Sequence, residues 1–319
     1  MNKVRAIAVV GQTASGKSKL ALTLARRLGG VIICMDSMQV YRGMDIGTAK
    51  PTAGEQALAP HRLFDIVEPS EPFAVADYAP LAERAVMEVA AMGQTPILVG
   101  GTGLYLKALM HGLSLGGVKS DERVRAKYAA IASDADGRER LHRMLADVDA
   151  EAAKRLHPND VRRVIRALEI RELTGIPMSA QKQEEPELPF EILPIGLRMP
   201  REVLFDRIGR RVSQMMEQGL LAEVQSLLER GVPPDAQAMQ GIGYKELVPV
   251  AEGRARRPDA VWQIILNTRH YAKRQETWLK GEPAIRWFDA AASEMPDHAY
   301  ETAEAFLSGK DKKEGKRKT

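Results

Sequence analysis

Gly11-Gln12-Thr13-Ala14-Ser15-Gly16-Lys17-Ser18 is a complete G-x-x-x-x-G-K-[ST] loop. An apolar run over residues 6–10 precedes it, and a helical pattern over 18–28 follows. That strand–loop–helix setting is the context in which the motif binds phosphate. The glycines let the backbone wrap closely around an anion. Successive N–H groups and the helix N-terminus then hold a diphosphate, with Lys17 as a point charge and the Ser18 hydroxyl available to Mg²⁺. Gln12, Thr13, Ala14 and Ser15 supply the intervening backbone. The motif specifies a diphosphate and leaves the reaction open.

Working outward, strand-like runs at 5–10, 31–35 and 96–99 are separated by helical patterns at 18–28 and 75–92. This alternation predicts an α/β fold with a parallel sheet. Each run ends in a polar or Gly-rich turn: the phosphate loop, Asp36-Ser37, and Gly100-Gly101-Thr102-Gly103. Ligands of open α/β sheets bind outside the carboxyl ends of the strands, so the three turns are expected to face one crevice. After about residue 117 the chain becomes charged and helical. Ser120-Asp121-Glu122 reads as a helix start and Thr174-Gly175-Ile176-Pro177 as a stop. The Pro- and Glu-rich stretch 184–189 reads as a linker, 190–197 as a returning strand, and 201–230 and 259–280 as helices. The expected organisation is a P-loop NTPase-like core (1–117 and 188–309), an all-helical insertion (118–187) and a basic, disordered tail (310–319).

The chain has 319 residues, a length natural for two domains or for one core with an insertion. Its net charge of +4 is accounted for by the tail, where Lys310, Lys312, Lys313, Lys316, Arg317 and Lys318 face only Asp311 and Glu314. Any nucleic-acid binding must therefore rest on local patches. The single Cys34 excludes a disulfide framework and a cysteine-based zinc site, and it lies in an apolar run suited to a buried strand. The six histidines show no metal-ligand spacing. No signal-peptide pattern opens the chain and no apolar stretch approaches the ~20 residues of a membrane span. A cytoplasmic protein without a membrane partner is expected.

A longer string follows the second strand: Asp36-Ser37-Met38-Gln39-Val40-Tyr41-Arg42-Gly43-Met44-Asp45-Ile46-Gly47-Thr48-Ala49-Lys50-Pro51. Joined to the phosphate loop and to Gly100-Gly101-Thr102-Gly103-Leu104-Tyr105, it resembles the tRNA dimethylallyltransferase family. The later motifs agree in order: His157-Pro158-Asn159-Asp160 with Arg162, Arg163 and Arg166; Gly241-Ile242-Gly243-Tyr244-Lys245; and Lys273-Arg274-Gln275-Glu276-Thr277-Trp278-Leu279-Lys280. The resemblance covers about residues 5–290. Gln12 stands where Pro is usual, Met38 where Ala is common, and Lys245 where Arg is frequent. A single cysteine rules out the C-terminal zinc finger of some relatives.

The resemblance implies transfer of a dimethylallyl group from its diphosphate to N6 of the adenosine 3′ of the anticodon; a monomer is expected, with Mg²⁺ at Ser18 of the phosphate loop. Adenine N6 is a poor nucleophile, and a carboxylate that accepts its proton answers that problem. Asp36 is assigned that role, against the plainer readings of a turn cap or a Mg²⁺ ligand. Lys17 and Arg211 would stabilise the leaving diphosphate, and Thr102 would lie against the target nucleotide. The tRNA contacts implied are Asp36, Ser37, Met38 and Gln39; Arg125; Arg162, Arg163, Val164, Ile165 and Arg166; Gln240, Gly241, Ile242, Gly243, Tyr244 and Lys245; and Lys273, Arg274, Gln275, Trp278 and Lys280. Trp278 reads equally as a stacking or a packing residue. Three alternatives remain at this point. One is a P-loop kinase of a small metabolite, another is prenyl transfer to free adenine nucleotides, and the third is a non-catalytic RNA-binding module.

Overall fold

The computed structural model describes residues 3–112, 120–181 and 187–310. Residues 184–186 of the expected linker fall outside these residues, as does the basic tail beyond Lys310. In the first half, β1 (Val4–Gly11), α1 (Lys17–Leu28), β2 (Gly30–Cys34), α2 (Ala53–Gln56), β3 (His61–Arg62), α3 (Val75–Ala91), β4 (Thr95–Val99) and α4 (Gly103–His111) alternate. Four helices follow: α5 (Glu122–Ala132), α6 (Gly137–Val148), α7 (Ala150–Arg155) and α8 (Val161–Thr174). The chain then returns through β5 (Phe190–Arg198), α9 (Arg201–Glu217), α10 (Leu220–Glu229), α11 (Tyr244–Ala251), α12 (Arg257–Lys280), β6 (Arg286–Asp289) and α13 (Met295–Ser308).

The strands form one six-stranded sheet in the order β3-β2-β4-β1-β5-β6, and every pairing is parallel. A parallel sheet is covered on both faces, which is why its strands read as continuous apolar runs. Side-chain alternation divides them between two layers. Ala6, Ala8 and Val10 of β1, with Val31, Ile33 and Leu98, face one core cluster that also takes in Tyr78, Leu106, Ile208 and Ile264. Ile7 and Val9, with Ile32, Ile97 and Val99, face the other, against Leu20, Leu24 and Phe306. Cys34 is buried at the end of β2. The strands β3 and β6 and the helix α13 escaped the sequence reading. The first two are short edge strands, with too few residues to show alternation.

The expected single helix over 201–230 is two. Gly219 takes φ +102, a conformation that favours glycine, and the break separates α9 from α10.

The chain divides into two compact units, one of residues up to Met110 and from Leu188, the other His111–Glu187. The second unit has its own core of Tyr128, Leu141, Leu145, Ala152, Val164, Ala167 and Leu168. Asp121 caps α5 by accepting from the N–H groups of Arg123 (2.8 Å) and Val124 (3.1 Å), and Gly175 ends α8 at φ +71. Glu169 is fully buried there. It accepts from Arg125 Nε (2.9 Å), Arg166 Nη1 (2.5 Å) and the Asp121 N–H (2.8 Å). Burial alone would raise its carboxyl, but the hydrogen bonds from Arg166, Asp121 and Arg125 outweigh burial and hold it below its ordinary 4.5. A depressed carboxyl stabilises the fold above its unfolded value and loses that contribution as pH falls through the folded one. Amide protection in α5 and α8 is therefore expected to drop on acidification below about 4.5. Glu169→Ala is expected to cost this unit about 1–3 kcal/mol at neutral pH, measured by hydrogen exchange of the full chain, and to remove that acid sensitivity. Unchanged protection would show that the network holds nothing together.

Candidate active site at the carboxyl ends of the strands

The phosphate loop links β1 to α1. Gly16 takes φ +97 as the N-cap of α1, and Ala14, with φ +62, is one of the few non-glycine residues in the left-handed region. The Ser15 hydroxyl is buried without a hydrogen-bond partner among the described residues. Lys17 Nζ folds back to donate to the Gln12 carbonyl at 3.0 Å. Desolvation lowers Lys17 to about 8, with Asp36 opposing and Arg211 reinforcing that shift. Burial likewise presses Arg211 downward, again opposed by Asp36. Two cations and one carboxylate thus share a site with net positive charge, which suits an anionic ligand.

Asp36 follows β2. Its Oδ1 accepts from the Met38 N–H at 2.9 Å, and the residue also lines a cavity of about 140 Å³. Arg211, Thr13, Met38, Thr48, Ile242, Gly243 and Tyr244 line the same cavity. Thr102, after β4, accepts from the Ser37 N–H at 3.0 Å and so fixes the turn that carries Asp36. The three turns do meet, as their positions at the strand ends led us to expect.

What locks them together is α12. Gln275 is buried; its Oε1 accepts from the Thr13 N–H at 2.8 Å, and its Nε2 donates to the Gly101 carbonyl at 3.0 Å. Gln12 Nε2 donates to the Ala272 carbonyl at 3.2 Å. The glycines of the third turn make room for this helix. A Cβ on Gly101 would lie 2.1 Å from Gln275 Nε2, and one on Gly103 2.2 Å from the Trp278 ring. Close approach at Gly101 and Gly103 therefore serves packing against α12. Gln275 and Trp278, expected at the RNA, brace the site from behind, and for Trp278 the packing reading is the one the structure supports.

Tyr271 escaped the sequence reading. It lines the cavity one turn before Gln275, and desolvation raises its phenol far above the ordinary value, with the Asp36 charge adding to that rise. Thr268 lines the cavity as well. The signal was available: Thr268, Tyr271 and Gln275 recur at i, i+3 and i+7, a polar stripe on one helix face. Glu223 was missed too. Its carboxylate accepts from the N–H groups of Asp45 (2.9 Å), Ile46 (2.8 Å) and Gly47 (3.1 Å) and from Tyr244 Oη (2.6 Å). Tyr244 is thus buried in a brace that holds the loop leading to Thr48. Gln39 does similar work by donating to the carbonyls of Thr48 and Ala49 at 3.0 Å.

The other expected RNA contacts fall into two kinds. Lys245, Lys273, Arg274, Lys280 and Gln240 are exposed, although Lys280 pairs with Glu276 at 2.6 Å. Gly241 abuts Met38: a Cβ there would lie 2.5 Å from Met38 Cε, so the 36–39 and 240–245 segments are neighbours. In the helical unit, Arg162 and Arg163 are exposed, Ile165 is half-buried, and Arg125 and Arg166 point to Glu169. Val164 is fully buried in that unit's core, so its side chain packs rather than reaching outward. Burial decided these cases, and helix periodicity at Val164, Ala167 and Leu168 carried the clue.

A family model described as IPP transferase matches residues 39–282, and one described as isopentenyl transferase matches 4–64. A tRNA dimethylallyltransferase of Halalkalibacterium halodurans is 45% identical, over 97% of this chain and 98% of its own. Another, of Geobacillus thermodenitrificans, is 45% identical over 95% of this chain and 96% of its own. Among solved structures, a full-length tRNA isopentenylpyrophosphate transferase of Bacillus halodurans superposes with TM-score 0.73 at 43% identity. That match covers 98% of this chain and all of the other. A eukaryotic dimethylallyltransferase acting on tRNA gives 0.79 at 29% identity, over 96% of this chain and 80% of that one. With its phosphate loop, its Asp36 turn and this likeness along nearly its whole length, the chain belongs to the IPP transferase family of tRNA dimethylallyltransferases.

Proposed function

We propose that the protein transfers the dimethylallyl group of dimethylallyl diphosphate to N6 of the adenosine 3′ of the anticodon in tRNA, releasing diphosphate. The observation that carries this reading is the grouping of Lys17, Asp36 and Arg211, from three separate segments, within electrostatic reach of one another, with Asp36 and Arg211 lining one cavity. The phosphate loop, Lys17 and Arg211 bind the diphosphate and take up charge as the allylic C–O bond breaks. Asp36 accepts the hydrogen bond of the adenine N6 amine and takes its proton as the N–C bond forms. Thr102 and Gln275 act by holding the turns in register. The acceptor base must leave the anticodon-loop stack to reach this site.

Among the described residues, no group of His, Cys, Asp and Glu is able to hold a metal by itself. Mg²⁺ keeps several waters and substrate oxygens in its shell. Ser18, exposed near the start of α1 and lining the same larger space as Arg211, would hold a Mg²⁺ ion together with the oxygens of the diphosphate. When bound, it would offset the charge of the leaving group.

The acting form is a monomer in the cytoplasm. No described helix is long and apolar enough to cross a membrane. Arg162 and Arg163 in the helical unit, and Lys273 and Arg274 on α12, are exposed basic residues that would track tRNA phosphates. Replacing Arg162 and Arg163 by alanine is expected to lower the salt slope of tRNA binding by about 1 for each phosphate no longer neutralised, with kcat unchanged. An unaltered slope would place the phosphate-binding residues elsewhere.

The deciding experiment incubates the protein with Mg²⁺, labelled dimethylallyl diphosphate and unmodified tRNA, and maps the label. Label on the adenosine 3′ of the anticodon is expected. ATP turnover without label transfer would favour the kinase, and label on free AMP alone would favour a nucleotide acceptor.

A further inference from the structure

The cavity beside Asp36 and Arg211 has a mixed lining. Its polar lining comes from Thr13, Asp36, Thr48 and Arg211; its apolar lining comes from Met38 and Ile242 and, on the helices α9, α10 and α12, from Ile208, Val212, Met215, Leu220 and Ile264. Four of those five helix residues are no more than 2% exposed, so that wall is fixed by the core. Met215 is the exception. It is half-buried and borders a second, larger cavity of about 720 Å³, which Ser18, Lys50, Gln214 and Gln218 also line. Arg211 and Met215, one turn apart on α9, are the two residues common to both spaces. Arg211 and Met215 thus lie between the two spaces, and Met215 is the apolar, unbranched part of that boundary.

The volume decides what the smaller cavity accepts. An apolar cavity of about 150 Å³ holds one benzene, a group of six carbons. At about 140 Å³, this one has the volume of a five-carbon prenyl group rather than of a ten-carbon one. With the diphosphate at Lys17 and Arg211 and the reacting carbon near Asp36, the rest of the prenyl group would meet the apolar lining, of which Met215 is the part that also borders the larger space.

We propose that Met215 sets donor chain length: it closes the five-carbon pocket and separates it from the larger cavity, so that its removal admits a longer prenyl diphosphate. The inference rests on the functional reading above and adds the residue that limits the donor. Leu220, fully buried at the start of α10, backs the same wall and leaves Met215 as the removable part.

The test compares wild type, Met215→Ala and Met215→Phe with unmodified tRNA, Mg²⁺, and either dimethylallyl or geranyl diphosphate. The readouts are kcat/KM for each donor, KM for tRNA, the mass of the modified nucleoside and the thermal midpoint. Wild type is expected to use the five-carbon donor. Met215→Ala is expected to gain at least about 10-fold in kcat/KM for geranyl diphosphate, with tRNA KM unchanged. Met215→Phe is expected to lose about 10–200-fold with dimethylallyl diphosphate, mainly through donor KM, the range that small changes in an apolar pocket produce. A folded Met215→Ala with an unaltered donor range overturns the proposal. So does an effect confined to tRNA KM, which would put the acceptor base in this cavity. Should Met215→Ala fail to fold, Met215→Phe decides, since an unchanged donor KM there is equally fatal. A wild type that transfers no dimethylallyl group to tRNA fails the functional reading itself, independently of either variant.

Discussion

Asp36→Ala is expected to lower kcat by about 10²–10⁴, the range associated with loss of a general base. Binding of tRNA is expected to change little, because an aspartate neutralises no phosphate. The adenine N6 lone pair is delocalised into the ring, so attack on an allylic carbon needs the N–H proton removed as the bond forms. Asp36 lines the cavity next to Arg211 and is well placed for this task. The same side chain also caps its own turn through the Met38 N–H at 2.9 Å, so alanine alone confuses two roles. Asp36→Asn separates them. Its amide oxygen still accepts from Met38 but takes no proton at neutral pH. Single-turnover rates should fall as far in Asp36→Asn as in Asp36→Ala, while the thermal midpoint stays near wild type. Near-normal turnover in the Asn variant would reduce Asp36 to a turn cap.

Lys17→Ala is expected to reduce kcat/KM for dimethylallyl diphosphate by about 10²–10³, the usual cost of removing one donor aimed at developing negative charge. Arg211→Ala should behave alike, with the affinity for tRNA intact in both. Lys17 carries a further signature. In the ligand-free protein its ammonium titrates at about 8, lowered chiefly by desolvation. Above that pH the free site is largely neutral at Lys17, yet an anionic donor prefers the charged form. Donor affinity is therefore expected to fall as pH rises through about 8, and binding near that pH should be accompanied by proton uptake. Isothermal titration in two buffers of different ionisation enthalpy reads that uptake directly. An affinity flat from pH 7 to pH 9.5 would mean that Lys17 is charged throughout and that the desolvation argument is wrong. Loss of ATP hydrolysis in both variants, with no prenylation by wild type, would support the kinase instead.

The sequence by itself determined the α/β class, the phosphate-loop motif and the chemical identity of the residues at the strand ends. These follow from local rules. Strands buried on both faces write themselves as continuous apolar runs, and the phosphate loop is one uninterrupted string from Gly11 to Ser18. Asp36 and Thr102 were legible because each follows a strand at its carboxyl end, where an open parallel sheet opens its crevice. The helical nature of the insertion was legible from its cap residues, Asp121 and Gly175.

Only the tertiary structure decided which polar residues are exposed and which hold the strand-end turns together. Gln275 and Lys273 lie two positions apart in one motif, yet Gln275 is buried between Thr13 and Gly101 and Lys273 is exposed. Arg162 and Arg166 share a helix face by spacing, but Glu169, buried below, pairs with Arg166. Glu223 accepts from backbone N–H groups more than 170 positions away, and no pattern in the chain announces that. The physical reason is common to all three. A short-range motif fixes a side chain's chemistry and its place on an element, whereas its partner is fixed by which other element packs against it. In this protein that element is above all α12, whose stripe of Thr268, Tyr271 and Gln275 gathers the three strand-end turns into one site.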